Sequence, residues 1–444
     1  MKLASIFTKE HMNNSQKRRS ELGLAIWAVI AAFGCYFCMY AFRKPFTAAS
    51  YSSTSVSGID FKTILVITQV FGYMLSKFAG IKFIAEMPPH RRAKMLVLLV
   101  GIAESALFFF GIIPRPWNAV CLFFNGLTLG LVFGLVMGFL EGRRFTEALA
   151  AGLCASFILA DGVTKSTGAL ILSWGWPEDW IPFFAGGLYF FPFLFFVWML
   201  TRVPPPTSHD IAARNKRPAM HPTDRTEFWG RHYGGIIPIV IMFLCVTLLR
   251  SARADFAPEI WRALGDPAAP STFSLSEIWV ALGVIAINGS TVLILENRRA
   301  FFMALGVCGC GIGLLCVALL AKQAELISSF SFMVLLGLGL YLPYVAVHTT
   351  IFERLLAMTR EPGNIGFLMY VADAIGYLGY VLIMLVSQFR PPDVDFVAWF
   401  KTLCWLSIGV STLCLVVSWR YYSTKYPGAV SHTTNREDVV QALS

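Results

Sequence analysis

The stretch "YFCMYAFRKPFT" at residues 36–47 places Tyr36, Tyr40, Arg43 and Thr47 at spacings of four, three and four. On a helix those positions form one stripe. Further apolar stretches repeat the pattern, with Gln69, Tyr73 and Lys77 in one, Asp161 and Lys165 in another, and Thr247, Arg250 and Arg253 in a third. Tyr341, Tyr344 and His348 share a face farther along, as do Tyr370, Asp373 and Tyr377. An ionisable side chain inside a bilayer costs roughly 2.5–3.5 kcal/mol at the helix centre on insertion scales, and its presence there points to function. Arg43, Lys77, Lys165, Arg250 and Arg253, joined by Lys44, outnumber Asp161 and Asp373, with Asp255 nearer the outer end. The balance is positive, so the missing partner is an anion. An arginine fork grips phosphate or carboxylate bidentately, lysine adds a point charge, and tyrosines donate hydrogen bonds and give flat walls to an organic body.

Local alternatives stand beside these readings. Asp161 and Lys165 are spaced i, i+4, which suits an internal salt pair as well as a titrating carboxylate or an extra substrate clamp. Lys44 lies about 100° around the helix from Arg43. Arg43 at a helix end could snorkel to the headgroups, and His348 could be a satisfied interior histidine. Cys35 and Cys38 have CxxC spacing, but inside an apolar helix they read as packing residues. No Walker A motif, paired Cys/His cluster or nucleophile beside a base is present in the sequence, so neither an enzyme nor a metal or other cofactor is expected.

The elements that must position these residues follow from composition. Of 444 residues 56% are hydrophobic and 14% charged, with mean hydropathy +0.64. Soluble domains carry about 25% charged residues. Apolar runs fall near 22–50, 61–85, 94–113, 117–140, 147–173, 180–201, 235–262, 274–295, 300–321, 326–351, 364–388 and 395–420. Each is of the roughly 20-residue length that crosses a bilayer as a helix. Residues 1–20 are polar and basic, and the run after them is too long for a signal-peptide core, so no cleavable signal is expected.

Residues 202–233, rich in Pro and charge, read as a linker dividing an N-terminal half (1–201) from a C-terminal half (234–444). One set of loops and termini ("KRRS", "HRRAK", "GRR", the linker, "NRR", Arg354 with Arg360, the C-terminal tail) holds about 23 Lys/Arg, the opposite set about five. The positive-inside rule then puts both termini in the cytoplasm. The excess of +10 is spread over loops rather than gathered on a soluble face, which argues against nucleic-acid binding. The expected fold is an all-α membrane protein of twelve transmembrane helices in two pseudo-symmetric six-helix halves, the major facilitator arrangement, with a site near the midplane.

At the striped residues the sequence resembles the organophosphate:phosphate antiporters of the major facilitator superfamily, the glycerol-3-phosphate and hexose-phosphate exchangers. That family carries two tyrosines seven and three residues before an Arg-Lys pair in helix 1, as Tyr36, Tyr40, Arg43 and Lys44 do here. "LLRSARADFAPEIW" is similar to its helix-7 pattern and matches Arg250 to its second phosphate-binding arginine. "SKF" at 76–78 matches Lys77 to its helix-2 lysine, and "GLYLPY" followed by His348 looks like its helix 10. "MYAFRKPF" is also similar to the hallmark of an uncharacterised bacterial branch of transporters. Departures from the pattern are Asp161 where the family has a histidine, Thr247 where it has a tyrosine, a helix 4 without its Trp-Pro pattern and a loose "EMPPHRRAK" loop.

The resemblance implies a monomeric transporter in the bacterial inner membrane, exchanging an organophosphate for phosphate by alternating access. The expected binding residues are Arg43, Arg250, Lys77, Tyr40, Tyr36, Lys44, Lys165, Arg253, Tyr73, Tyr344, His348 and Tyr377, with Asp161 and Asp373 as proton-coupling candidates. Two alternatives remain. One is a proton-coupled symporter of an acidic metabolite; the other is a transporter-like sensor of an organophosphate.

Overall fold

Apolar runs of bilayer length can satisfy their backbone only as helices, and this chain forms twelve of them among the described residues. The computed structural model describes residues 23–85, 87–140, 146–204, 222–266, 268–291, 294, 296–359, 365–389 and 396–427. The membrane-crossing helices are α1 Gly23–Ala41, α2 Phe61–Gly80, α3 Pro89–Ile112, α4 Ala119–Leu140, α5 Gly152–Ser173 and α6 Glu178–Thr201, followed by α7 Trp229–Asp255, α8 Pro270–Thr291, α9 Asn297–Gln323, α10 Ser329–Thr359, α11 Leu368–Val386 and α12 Val397–Lys425. The basic N-terminal segment, the "GRR" loop, Arg360, Arg390, the end of the C-terminal tail and residues 205–221 of the linker lie outside the described residues. The last part of the linker stretch is helical, because the helix that becomes α7 already starts at Pro222.

The two halves meet along two seams, α2 against α11 and α5 against α8. α7 and α10 are the most enclosed, with 67% and 72% of their apolar windows buried, while α3, α6 and α12 are among the least, at 33%, 33% and 22%. Those three turn apolar side chains such as Leu98, Phe109, Phe191, Phe195, Leu406 and Leu413 outward, as a bilayer requires.

Within the first half α2 and α4 touch backbone to backbone. A Cβ on Gly126 would collide with the Gln69 carbonyl oxygen, and one on Gly72 with that of Phe123. Overpacking of a tight contact costs about 1–3 kcal/mol. Gly126→Ala is therefore expected to lower the thermal unfolding midpoint of the detergent-solubilised protein clearly, whereas Gly306→Ala, where a Cβ meets nothing, should leave it unchanged.

The first apolar run does not form one helix to residue 50. α1 ends at Ala41, residues 42–44 turn, and a 3₁₀ segment follows over Pro45–Ala48. Pro45 lacks the N–H that would continue the ladder. Side chains take up the freed carbonyls. Asn125 Nδ2 donates to Phe42 O at 2.9 Å, and Gln69 Nε2 donates to Arg43 O at 2.9 Å and to Asn125 Oδ1 at 2.9 Å. Thr47 consequently leaves the stripe of Tyr36, Tyr40 and Arg43, and its hydroxyl caps Lys44 O at 2.7 Å.

Candidate anion site between the halves

Arg43 stands on this break, 4% exposed, with its guanidinium 3.9 Å from the centre of the Tyr73 ring and 5.9 Å from that of Tyr40. Its counterpart in the second half is Arg250 on α7, 7% exposed, 4.3 Å from the Tyr344 ring and 5.8 Å from that of Tyr341. Each arginine thus lies on tyrosine faces of its own half, and Tyr40 and Tyr377 lie within electrostatic reach of both. Tyr36 packs edge-on against Tyr40 at 5.6 Å, and Tyr73 meets Tyr377 across the α2–α11 seam at 5.1 Å.

The interior cations divide sharply by partner. Lys44 pairs with Asp255, whose other oxygen accepts from Tyr380 Oη at 3.0 Å. Lys62 at the start of α2 binds Glu259 at 2.8 Å and Thr47 O at 2.8 Å. Lys165 pairs with Asp161 one turn away, and Arg253 Nη1 holds Glu277 Oε1 at 2.8 Å. Lys77 lies 3.6 Å from Asp373 and within 5.3 Å of the Tyr73 ring centre. Asp373 also faces His348 Nε2 at 3.1 Å, while His348 Nδ1 faces Tyr344 O at 3.0 Å, so both ring nitrogens point at acceptors. A π-helical turn over Val347–Ile351 in α10 presents His348 there. Such turns concentrate at functional sites.

Among the described residues Arg43 and Arg250 have no carboxylate partner. Arg250 Nη2 donates a long hydrogen bond to Ser251 Oγ at 3.4 Å, and the Nε of each arginine is buried without a hydrogen bond. A buried charge without compensation is strongly unfavourable. Of the residues singled out from sequence, the structure therefore brings Arg43, Arg250, Tyr36, Tyr40, Tyr73, Tyr344 and Tyr377 together, with Asp255 and Asp373 within electrostatic reach but in no salt bridge with either arginine. It commits Lys44, Lys165 and Arg253 to carboxylates, and links Lys77 and His348 through Asp373.

The stripe criterion misses Lys62, Glu259 and Glu277, which stand near helix ends or alone on their helix. It also misses Glu104 on α3, packed against Gly186 of α6 with no cation beside it among the described residues. Asking only for a charge inside an apolar run would have found all four.

A family model described as "Family of unknown function (DUF5690)" matches residues 45–425. The chain belongs to this family. In this DUF5690 chain Arg250 lies inside the matched span, and Arg43 lies just before it. No curated protein matches the chain.

Similar solved structures include a D-xylose–proton symporter, with 13% identity, TM-score 0.59, and 90% of this chain and 97% of that chain covered. The nucleoside transporter NupG, solved as a point mutant, has 14% identity and TM-score 0.56 over 90% of this chain and 100% of its own. A bacterial homologue of the iron transporter ferroportin, in an outward-facing state with soaked iron, has 16% identity and TM-score 0.57 over 90% and 99%. At these identities the likeness is one of fold. The DUF5690 chain is a multi-pass membrane protein with the major facilitator fold of two six-helix halves.

Proposed function

We propose that this chain is a secondary transporter of a small organic anion, exchanging an organophosphate for inorganic phosphate by alternating access. The observation that carries the reading is the pair of buried arginines, one from each half, that alone among the interior cations of the described residues have no carboxylate beside them. The relatives in fold are described as transporters of a sugar, a nucleoside and iron, so they support transport and leave the cargo to the site. A phosphate would accept from both forks at once, and the neighbouring tyrosines would donate to its remaining oxygens.

In the empty carrier Arg43 and Arg250 repel, which holds the halves apart around the site. A bound phosphate removes that repulsion, so the loaded form rocks and the empty form does not. A ligand shifts such an equilibrium only by its differential affinity for the two states. Return of the carrier then also needs an anion, which makes exchange the natural mode. Lys44–Asp255 and Lys62–Glu259 tie the halves at the end where α1 finishes and α2 begins. With the termini cytoplasmic by the positive-inside rule, that closed end is the outer one.

The test is counterflow. Proteoliposomes loaded with unlabelled phosphate should take up labelled phosphate at equal pH, insensitive to a protonophore, and Arg43→Ala should abolish the uptake. A folded wild-type preparation without uptake would overturn the phosphate reading.

A further inference from the structure

At the α5–α8 seam lies a second charged cluster that the anion site does not use. α5 and α8 approach closely there. A Cβ on Gly162 would come within 2.6 Å of Phe273 O and 2.7 Å of Glu277 Cβ, and Ser274 N donates to Ser166 Oγ at 3.0 Å. Glu277, 6% exposed, faces Arg253 from α7, Asp161 and Lys165 from α5, and Tyr341 from α10. With every group ionised, the two cations cancel the two carboxylates. A cavity of about 10 Å³, enough for one water molecule, opens among Lys165, Arg253, Ser276 and Glu277. Of its lining, Glu277 Oε2 and Arg253 Nε are buried without a hydrogen bond, as are Asp161 Oδ1 and the Tyr341 hydroxyl in the same cluster.

We propose that Glu277, in the cluster with Asp161, Lys165 and Arg253, is a proton-binding site that couples proton entry to the anion held by Arg43 and Arg250. The inference rests on the anion reading above. The unbonded Glu277 Oε2 takes a proton from hydronium of the medium, which leaves as water; the carboxylate becomes a neutral acid, and its attraction for Arg253 is lost. Arg253 lies one helical turn from Arg250. Its freed charge, still steadied by the Met333 carbonyl at 3.0 Å, adds to the field at the anion site. Proton and anion then each strengthen the binding of the other by the same factor. The Lys44–Asp255 pair differs, because Tyr380 already fills the second carboxylate oxygen.

Two measurements test this on the full chain. Infrared difference spectra between acid and alkaline pH should show a carboxylic-acid carbonyl band that Glu277→Gln removes. In phosphate-loaded proteoliposomes with an alkaline interior and an internal pH-sensitive dye, phosphate added outside should speed acidification of the interior, and E277Q should reduce that phosphate-dependent acidification about tenfold. Phosphate counterflow at equal pH should persist in E277Q. A wild-type protein with no such band, or an E277Q protein that still carries protons with phosphate, overturns the proposal. Loss of wild-type counterflow with the band intact would sink the phosphate reading and leave the proton site standing. If E277Q fails to fold, the neutral double R253Q/E277Q carries the same infrared and acidification readouts.

Discussion

Arg250→Lys is expected to lose nearly as much phosphate exchange as Arg250→Ala, about 100-fold in kcat/KM. Truncating one partner of a buried, hydrogen-bonded charge pair costs about 2–5 kcal/mol, and about 1.4 kcal/mol is a factor of ten. Lysine keeps the charge but has neither a planar fork for two phosphate oxygens nor a flat face to lie on Tyr344, as Arg250 does at 4.3 Å. The same holds for Arg43, whose guanidinium sits 3.9 Å from the Tyr73 ring centre. Initial rates of labelled phosphate entry under counterflow measure the effect. A lysine variant within about threefold of wild type would show that a point charge suffices, removing the bidentate part of the mechanism.

The second large effect concerns the Lys44–Asp255 pair, which joins the two halves. Asp255→Ala leaves Lys44 buried without its counter-ion and strips Tyr380 of its acceptor. Breaking a buried pair on one side costs about 3–5 kcal/mol, whereas replacing both partners with apolar groups of similar volume is often neutral. Thermal unfolding of the solubilised protein should therefore show a severe loss for Asp255→Ala. Most of it should be regained in the double variant Lys44→Met/Asp255→Leu. Coupling between the two positions is read from the full double-mutant cycle. Additive losses would mean that the two side chains are not energetically paired. The apolar double variant also separates folding from gating, since it lacks the ion pair that ties the end of α1 to α7.

Much of the fold is legible in the residues alone. Apolar runs of bilayer length have one solution for their backbone, so twelve spans, their order and the two halves follow directly from composition and length. Pro45 after Arg43 and Lys44 carries a signal for a break, since it cannot donate to the ladder. The stripe from Tyr36 to Thr47 reads through that break and so places Thr47 wrongly; the helix stops at Ala41. Charge balance also points to an anion, because an interior excess of cations is a property of residue types alone.

Which of those cations find a carboxylate is a matter for the tertiary structure. Lys44 and Arg43 are neighbours in the chain, yet one forms a salt bridge with Asp255, 211 residues away, and the other forms none among the described residues. Arg253 and Arg250 part in the same way over Glu277. Lys62 finds Glu259 at a separation of 197 residues. Spacing along one helix records which side chains share a face, and a buried charge is set by what the facing helix brings to within a few ångströms. The sequence by itself determined the helices and the excess of cations inside them. Only the packing of α1 and α2 against α7 and α11, and of α5 against α8, decided that Arg43 and Arg250 are the buried cations without a salt bridge among the described residues.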